Sequence, residues 1–342
     1  MSIRLFDYSL PEHLIAKCPI RHRDQSRLMV LDPRAGTYVD RQFSQLSEFI
    51  QPNDVLVLNN TKVFKARLIA TRETGAHIEL LLMPPRSNTE FQALVKPAKR
   101  VKVGETLQIS PDFHVTILHK DGPMATLQFN VTDVMEKLDR HGSVPLPGYM
   151  KVPMDDANSF SEQYQTVFAK HAGSIAAPTA GLHFTPATIQ ALKDQGVIIE
   201  TVTLHVGYGT FQPIQSDTLS GHAMHEETYY IDPETAARLN EYRGKRRVIA
   251  VGTTVVRALE SAVRDSVTQS GHQSTRLFIT PGFSFQSVDA LVTNFHLPKS
   301  SLFVLVAAFA GLPFIQAAYQ HAIQESYRFY SFGDAMLIQN RS

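Results

Sequence analysis

Residues 248–263 read VIAVGTTVVRALESAV, in which a strand, a glycine turn and a helix follow one another directly. The run 248–251 is continuously apolar, which is typical of a strand buried on both faces. The next apolar positions recur at helical spacing and form one stripe: Val255, Val256, Leu259, Ala262 and Val263. Arg257, Glu260 and Arg264 lie on the opposite, polar face. The stretch therefore predicts a β–α unit.

The same alternation continues through the second half of the chain. Start and stop signals predict capped helices at 187–195, 233–244 and 301–310. A strand is expected at 197–206, and the apolar run 54–58 could join the same sheet. Strands that alternate with helices favour an α/β fold with a mostly parallel sheet.

Residues 68–129 have a different sequence pattern, in which short apolar or alternating runs are separated by turns that contain Gly and Pro. This spacing is typical of a small antiparallel β-barrel. We therefore predict a discontinuous α/β catalytic domain, residues 1–62 and 153–342, with an inserted β-barrel domain at 63–152.

Composition narrows the class of protein. The 342 residues are 43% hydrophobic and 19% charged, as in soluble globular proteins. Cys18 is the one cysteine, so an internal disulfide is excluded. The N-terminal residues contain no apolar run of the signal-peptide type. We therefore expect a cytoplasmic location. The longest apolar stretch, 302–314, is too short to span a bilayer and is expected to form a buried helix.

A loop of small residues, 173–184, ends in Leu182-His183-Phe184 before a helix start. Such a loop lets a ligand approach the backbone, with Thr179 and His183 available for hydrogen bonds. A tight turn in the core is the alternative. The turn Gly252-Thr253-Thr254 offers backbone N–H groups and hydroxyls at a helix start, where a plain N-cap is equally compatible.

Histidines lie beside turns in this half of the chain. In 204–211, LHVGYGTF, His205 lies at the carboxyl end of a predicted strand, which is where ligands bind in open α/β sheets. The segment 222–227, HAMHEE, lacks the order of a known zinc motif, so proton transfer or binding by His225 and Glu227 is favoured over a metal site. A structural role for these histidines, and for the pair Asn294 and His296, stays open.

Three short basic clusters, 21–27, 96–102 and 243–247, are candidate nucleic-acid contacts, although each is also compatible with a solvated surface. A net charge of +1 neither requires nor excludes such a partner. The candidate phosphate donors are Arg21, Arg23, Lys99, Arg100, Lys102, Arg246 and Arg247.

Several long motifs together resemble the S-adenosylmethionine:tRNA ribosyltransferase-isomerase family of queuosine synthesis. They are AAPTAGLHF (176–184), LHVGYGTF (204–211), HAMHEE (222–227), VGTTVVRALES (251–261), VDALVTNFHLPKS (288–300) and YRFYSFGDAML (327–337), with LNNTKV at 58–63, PLPGY at 145–149 and YQTV at 164–167. The chain departs from the family pattern at Tyr208, Glu226 and Thr228, which affects the expected pocket shape.

The resemblance implies transfer and isomerisation of the ribosyl group of S-adenosylmethionine onto 7-aminomethyl-7-deazaguanine in tRNA. The products are epoxyqueuosine in tRNA, adenine and methionine. S-adenosylmethionine is consumed as a substrate, so no cofactor and no metal are expected. The implied partners are the precursor tRNA and S-adenosylmethionine, with no membrane, and we expect a monomer.

The resemblance and the motifs together assign the site. His205, His225 and Glu227 are the catalytic candidates, with acid and base not distinguished. The substrate-binding candidates are Pro178, Thr179, Ala180, Gly181, His183, Phe184, Gly207, Gly209, Thr210, Phe211, His222, Gly252, Thr253, Thr254, Arg257, Asn294 and His296. Two other classes stay open, a metal-dependent nucleotide hydrolase and a noncatalytic RNA-binding protein.

Overall fold

The computed structural model describes residues 1–85, 87–146, 161–207, 209 and 213–339. Within these residues the strands are β1 (Arg27–Asp32), β2 (Thr37–Gln42), β3 (Val55–Asn59), β4 (Thr61–Val63), β5 (Arg67–Thr71), β6 (His77–Leu82), β7 (Glu90–Lys96), β8 (Thr106–Ser110), β9 (Phe113–Asp121), β10 (Met124–Phe129), β11 (His171–Ser174), β12 (Ile198–Leu204), β13 (Glu227–Ile231), β14 (Val248–Val251), β15 (Val263–Arg264), β16 (Val267–Thr268), β17 (Gly271–Thr275), β18 (Ala290–Asn294) and β19 (Ala335–Ile338).

The α-helices of the same residues are α1 (Val134–His141), α2 (Pro186–Asp194), α3 (Pro233–Tyr242), α4 (Thr253–Ala262), α5 (Ser301–Ala310) and α6 (Leu312–Gln324). Short 3-10 helices span Ile3–Phe6, Glu12–Leu14, Arg23–Gln25, Phe43–Phe49, Ala98–Arg100, Thr179–His183 and Leu219–Gly221. The side chains of Thr185, Asp232 and Ser300 accept hydrogen bonds from backbone N–H groups in the first turns of α2, α3 and α5. The predicted start signals of these three helices are therefore confirmed.

Nine of the described strands form one sheet in the order β17-β13-β12-β3-β14-β18-β19-β1-β2. The central strands β12, β3, β14 and β18 are parallel, and so are β19 and β1. The other neighbouring pairs are antiparallel. The sheet is thus mixed, and the prediction of a mostly parallel sheet is not confirmed. The predicted β–α units supply the parallel centre, whereas hairpin-like returns such as β1–β2 reverse the chain at the flanks.

The sheet is covered on both faces, and β3 shows this most directly. Val55 and Val57 belong to the larger apolar cluster, which contains residues of α3, α4, α5 and α6. Leu56 and Leu58 belong to the cluster on the other face, with residues of α2 and the 3-10 helix Phe43–Phe49. A strand with alternate side chains in two cores has to be apolar where it lies between them, as residues 55–58 of β3 are.

Helix α5 packs in the larger cluster, as expected for the apolar stretch 302–314. In the described part of the chain no single helix is long and apolar enough to cross a membrane. The pair α5 and α6, bent by 115°, meets that length and composition only when the two helices are taken together.

The strands β5 to β10 form a closed barrel in the order β10-β7-β6-β5-β8-β9, with antiparallel neighbours throughout. Inward-facing side chains fill the barrel, and Val134 and Leu138 of α1 pack into the same core. Ile175, which follows β11, belongs to this cluster too. The predicted antiparallel barrel is therefore confirmed. The short parallel pair β4–β11 lies in the chain between the barrel and the sheet.

Helix α4 is buried on both faces, including the predicted polar face at Arg257 and Glu260. Glu260 accepts hydrogen bonds from the backbone N–H groups of Gln286, Ser287 and Val288, at 2.8, 2.9 and 3.1 Å. Arg257 is 4% exposed. These two charged positions contact loops rather than water, and of the predicted polar face only Arg264 is exposed.

We expect Leu56→Ala to lower the free energy of unfolding by about 2–5 kcal/mol, because it leaves a cavity in the central strand. Leu56 is fully buried, whereas Leu5, the control for Leu5→Ala, is 49% exposed. Urea unfolding followed by circular dichroism measures both variants. Equal stability of the two variants would contradict the central place of β3 in the core.

Candidate active site

The parallel strands β3, β12, β14 and β18 end at one edge of the sheet, where one buried amide joins three elements. Asn59 Nδ2 donates to the Leu204 carbonyl at 3.0 Å and to Thr254 Oγ1 at 3.3 Å. Asn59 Oδ1 accepts from the backbone N–H groups of Leu204 at 3.0 Å and Thr61 at 3.1 Å. All hydrogen-bonding groups of this amide are thus used to fix the ends of β3 and β12 against α4.

His205 follows β12 and is held on two sides. Its Nδ1 lies 2.8 Å from Thr61 Oγ1. A Cβ at Gly173 would lie 2.7–2.9 Å from the ring atoms, so this close approach requires glycine. Burial lowers the pKa of His205 to about 4, and His171 and His272 contribute in the same direction. The imidazole is therefore neutral near pH 7, the form that accepts a proton.

Glu227, at the start of β13, forms a buried salt bridge with Arg257 of α4. The side chains are 2% and 4% exposed. The other carboxylate oxygen accepts the Gly207 N–H at 2.8 Å, and Arg257 Nε donates to the Leu277 carbonyl at 3.0 Å. Arg257 thus reaches the site from the predicted polar face of α4, and its pair with Glu227 ties the loop after β12 to this helix.

The predicted small-residue loop faces the start of α4 across a narrow cavity of about 30 Å³. Its lining includes Pro178, Thr179 and Ala180 on one side and the Gly252-Thr253-Thr254 turn on the other. Gly252 has φ +93°, a conformation that L side chains rarely adopt. Ligand pockets usually measure about 300–1,000 Å³, so a nucleoside requires this cavity to widen.

His183 is a buried structural histidine. Asn294 Nδ2 donates to its Nε2 at 3.2 Å, so Nδ1 carries the proton and donates to Ser26 Oγ at 2.7 Å. Burial lowers the pKa of His183 to about 3, with Arg23 and Arg328 adding to the effect. The neutral ring ties the loop to β18 and stacks on Phe43 with centroids 5.0 Å apart.

His296 is also buried, and burial lowers its pKa to about 3. Its Nε2 lies 3.1 Å from Thr293 Oγ1, and its backbone N–H donates to Tyr319 OH at 3.0 Å. Tyr8 OH donates to its carbonyl. Both Thr293 and His296 line the narrow cavity, so this histidine is anchored by its backbone and borders the candidate site.

The 222–227 segment places its two histidines differently. His225 is exposed, and its ring packs so closely on Gly209 that a Cβ there would lie 1.9 Å from Cδ2. His222 is partly buried beside Phe278, with ring centroids 5.1 Å apart, and burial lowers its pKa. Thr210 and Phe211 lie outside the described residues. Among the described side chains, no three of His, Cys, Asp or Glu are placed to hold a metal ion.

Two predicted substrate-binding positions, Phe184 and Gly181, pack in the core. Phe184 is fully buried and packs edge-on against Phe43 at 5.0 Å and Phe168 at 6.4 Å. A Cβ at Gly181 would lie 2.7 Å from Phe168 and 2.9 Å from Thr166, so this glycine permits a close contact in the core. Neither is among the residues that line the narrow cavity.

The basic candidates divide into exposed and engaged groups. Arg23 donates to three backbone carbonyls in 162–165, and Arg247 pairs with Asp54. Arg246 lies over the Tyr242 ring at 5.3 Å. The remaining candidates are exposed: Arg21, Lys99, Arg100 and Lys102. Only this last group is fully available to a phosphate backbone.

Sequence reasoning did not assign Asn59, Thr61 or Gly173 to the site. The signal for the first two is present, because polar residues come directly after the apolar run 55–58, at the carboxyl edge of the sheet. The contact of Gly173 with His205 had no local signal, since it depends on how β11 is placed beside β4.

Comparisons with known proteins show the family to which the chain belongs. Residues 3–338 match the family model described as Queuosine biosynthesis protein. The chain is 48% identical to the S-adenosylmethionine:tRNA ribosyltransferase-isomerase of Aromatoleum aromaticum, over 100% of this chain and 99% of that one. It is 46% identical to the protein of the same name from Carboxydothermus hydrogenoformans, over 99% and 100%. The crystal structure of S-adenosylmethionine tRNA ribosyltransferase from Thermotoga maritima matches with a TM-score of 0.56 and 39% identity, over 98% and 99%.

We expect His205 to titrate near pH 4 in the folded protein, because its ring is buried beside two other histidines. Long-range 15N–1H NMR measures the titration, and the spectrum of His205→Gln assigns the signal. The chain unfolded in urea is the control and should titrate near pH 6.5. A folded-state midpoint above pH 6 would contradict the burial of this ring.

Proposed function

The chain belongs to the queuosine biosynthesis protein family, and we propose that it is an S-adenosylmethionine:tRNA ribosyltransferase-isomerase. In this proposal the ribosyl group of S-adenosylmethionine moves to the aminomethyl group of 7-aminomethyl-7-deazaguanine in tRNA. Epoxyqueuosine forms in the tRNA, and adenine and methionine leave. The observation that carries the proposal is the meeting of His205, the Glu227–Arg257 pair and the Gly252-Thr253-Thr254 turn at one edge of the sheet.

The reaction needs a base for a proton made acidic by the neighbouring sulfonium, and an acid for the departing adenine. The base is assigned to His205, which follows β12 at the carboxyl edge of the sheet and is neutral near pH 7. The acid is assigned to His225, which is exposed. Its ring contacts Gly209, which lies four residues after His205. Glu227 acts as a positioning residue, because its oxygens bind Arg257 and the Gly207 N–H.

The nucleoside of S-adenosylmethionine is placed between the 3-10 helix Thr179–His183 and the first turn of α4. Thr179 and Thr253 line the cavity there and supply hydroxyl groups. The start of α4 adds backbone N–H groups. Because the cavity is narrow, binding has to separate these two elements, and substrate affinity then depends on how easily the loop moves.

The test is incubation of the protein with S-adenosylmethionine and precursor-modified tRNA, followed by mass analysis of the nucleosides. Epoxyqueuosine should appear together with equal amounts of free adenine and methionine. Binding of tRNA without adenine release would identify a noncatalytic RNA-binding protein. Turnover that depends on added zinc would favour the metal-dependent alternative.

We expect His205→Ala and His225→Ala each to lower turnover by about 10²-fold or more, the usual contribution of a general acid or base. Glu226→Ala is the matched control, since Glu226 is exposed on the same segment and pairs with Arg276. It should react at nearly the wild-type rate. Near-normal turnover of both histidine variants would remove them from the proton transfers.

Affinity for tRNA is assigned in part to the barrel, whose exposed Lys99 and Arg100 follow β7. We expect Lys99→Glu with Arg100→Glu to weaken tRNA binding and to flatten its salt dependence by about one unit of slope per lost contact. Filter binding over a salt series measures this. The control, Arg34→Glu with Lys193→Glu, makes the same charge change at exposed positions away from the barrel. Normal binding of the barrel variant would exclude this surface from the RNA interface.

A further inference from the structure

A second, larger cavity of about 480 Å³ lies at the amino end of β14. The candidate active site lies at the carboxyl end of the same strand, so the two face opposite edges of the sheet. With a rise of about 3.3 Å per residue, they are separated by about 10 Å or more. The volume is within the range of small-molecule sites, and Leu239 and Leu259 give it an apolar part.

Arg243 is the central cation of this cavity. Its Nη2 donates to Thr268 Oγ1 at 2.9 Å and Ser287 Oγ at 3.4 Å, and Nη1 donates to the Gln286 carbonyl at 2.8 Å. These partners are all neutral. Its Nε is buried and has no hydrogen-bond partner in the described part of the chain. Among the described residues the guanidinium is therefore held by neutral groups, and the Glu260 carboxylate reaches the same loop only through the Gln286 and Ser287 N–H groups.

The other charged side chains of the lining leave an excess of positive charge. Lys245 is exposed, and Arg246 stacks over the Tyr242 ring. Arg247 is balanced by Asp54, outside the lining. One carboxylate, Asp289, faces the cavity, and its Oδ2 accepts the Val248 N–H at 2.9 Å. Three cations thus face one carboxylate here.

We propose that this cavity binds a phosphate group. A guanidinium, an ammonium group and nearby hydroxyls make up a donor set that phosphate oxygens accept from strongly. The phosphate belongs either to a small phosphate ester, whose remainder packs on the apolar part, or to an RNA backbone. The RNA source rests on the proposed function, and the small ester does not.

The first arm uses inorganic phosphate as the probe, titrated into the full chain and measured by isothermal calorimetry. Lys245→Gln with Arg246→Gln should bind phosphate at least ten times more weakly than wild type. The control, Arg34→Gln with Lys193→Gln, removes the same charge elsewhere and should bind as wild type does. Arg243→Lys keeps the positive charge but loses the planar guanidinium and its several N–H donors, and it should also bind phosphate more weakly than wild type. Absence of phosphate binding by wild type, or equal binding by both double variants, would overturn the proposal.

The second arm separates the two sources by filter binding of tRNA, with and without added phosphate. If the source is RNA, Lys245→Gln with Arg246→Gln weakens tRNA binding and phosphate competes with tRNA in the wild type. If the source is a small ester, tRNA binding stays unchanged although phosphate binding is lost. Neither arm uses S-adenosylmethionine or measures turnover. Phosphate binding can therefore be interpreted even if the proposed enzymatic activity is not found.

Discussion

The four hydrogen bonds of the Asn59 amide are the constraint on which the candidate site depends. They fix the carboxyl ends of two parallel strands and the first turn of α4 relative to one another. Thr61 follows at once and holds the His205 ring. A buried amide with every group satisfied is costly to disturb, because each broken bond leaves an unpaired polar atom. This edge of the sheet is therefore rigid, and it fixes the positions of the reacting groups that are attached to it.

The charged and polar groups around that edge are arranged so that little net charge is buried. His183 and His296 are neutral because burial lowers their pKa to about 3. Glu227 and Arg257 are buried as a pair, and hydrogen bonds from Gly207 and to Leu277 satisfy further groups. Removal of one partner would leave an unpaired charge in the interior, whereas the intact pair fixes the orientation of both side chains. Mobility is then left to the loops, where a substrate has to enter.

Local sequence signals were reliable where the structure is local. The capped helices, the apolar strands and the short-strand barrel follow from residues close together in the chain. What local signals missed are contacts between residues that are distant in sequence. Arg257 and Phe184 were both substrate-binding candidates, and the fold buries each of them against elements far away in the chain. Arg23 and Arg247 read as free cations, although each is held by distant backbone carbonyls or a carboxylate.

By itself the sequence determined which segments become helices and strands, the barrel, and the motifs that identify the family, because each rests on periodicity, caps or contiguous residues. The tertiary structure alone decided the mixed strand order and the residues that meet at its edge. Thr61 and His205 are 144 residues apart, and Asn59 and Thr254 are 195 apart. Such contacts exist only after β3 is inserted between β12 and β14, and strand order is set by the packing of both cores together rather than by any one segment.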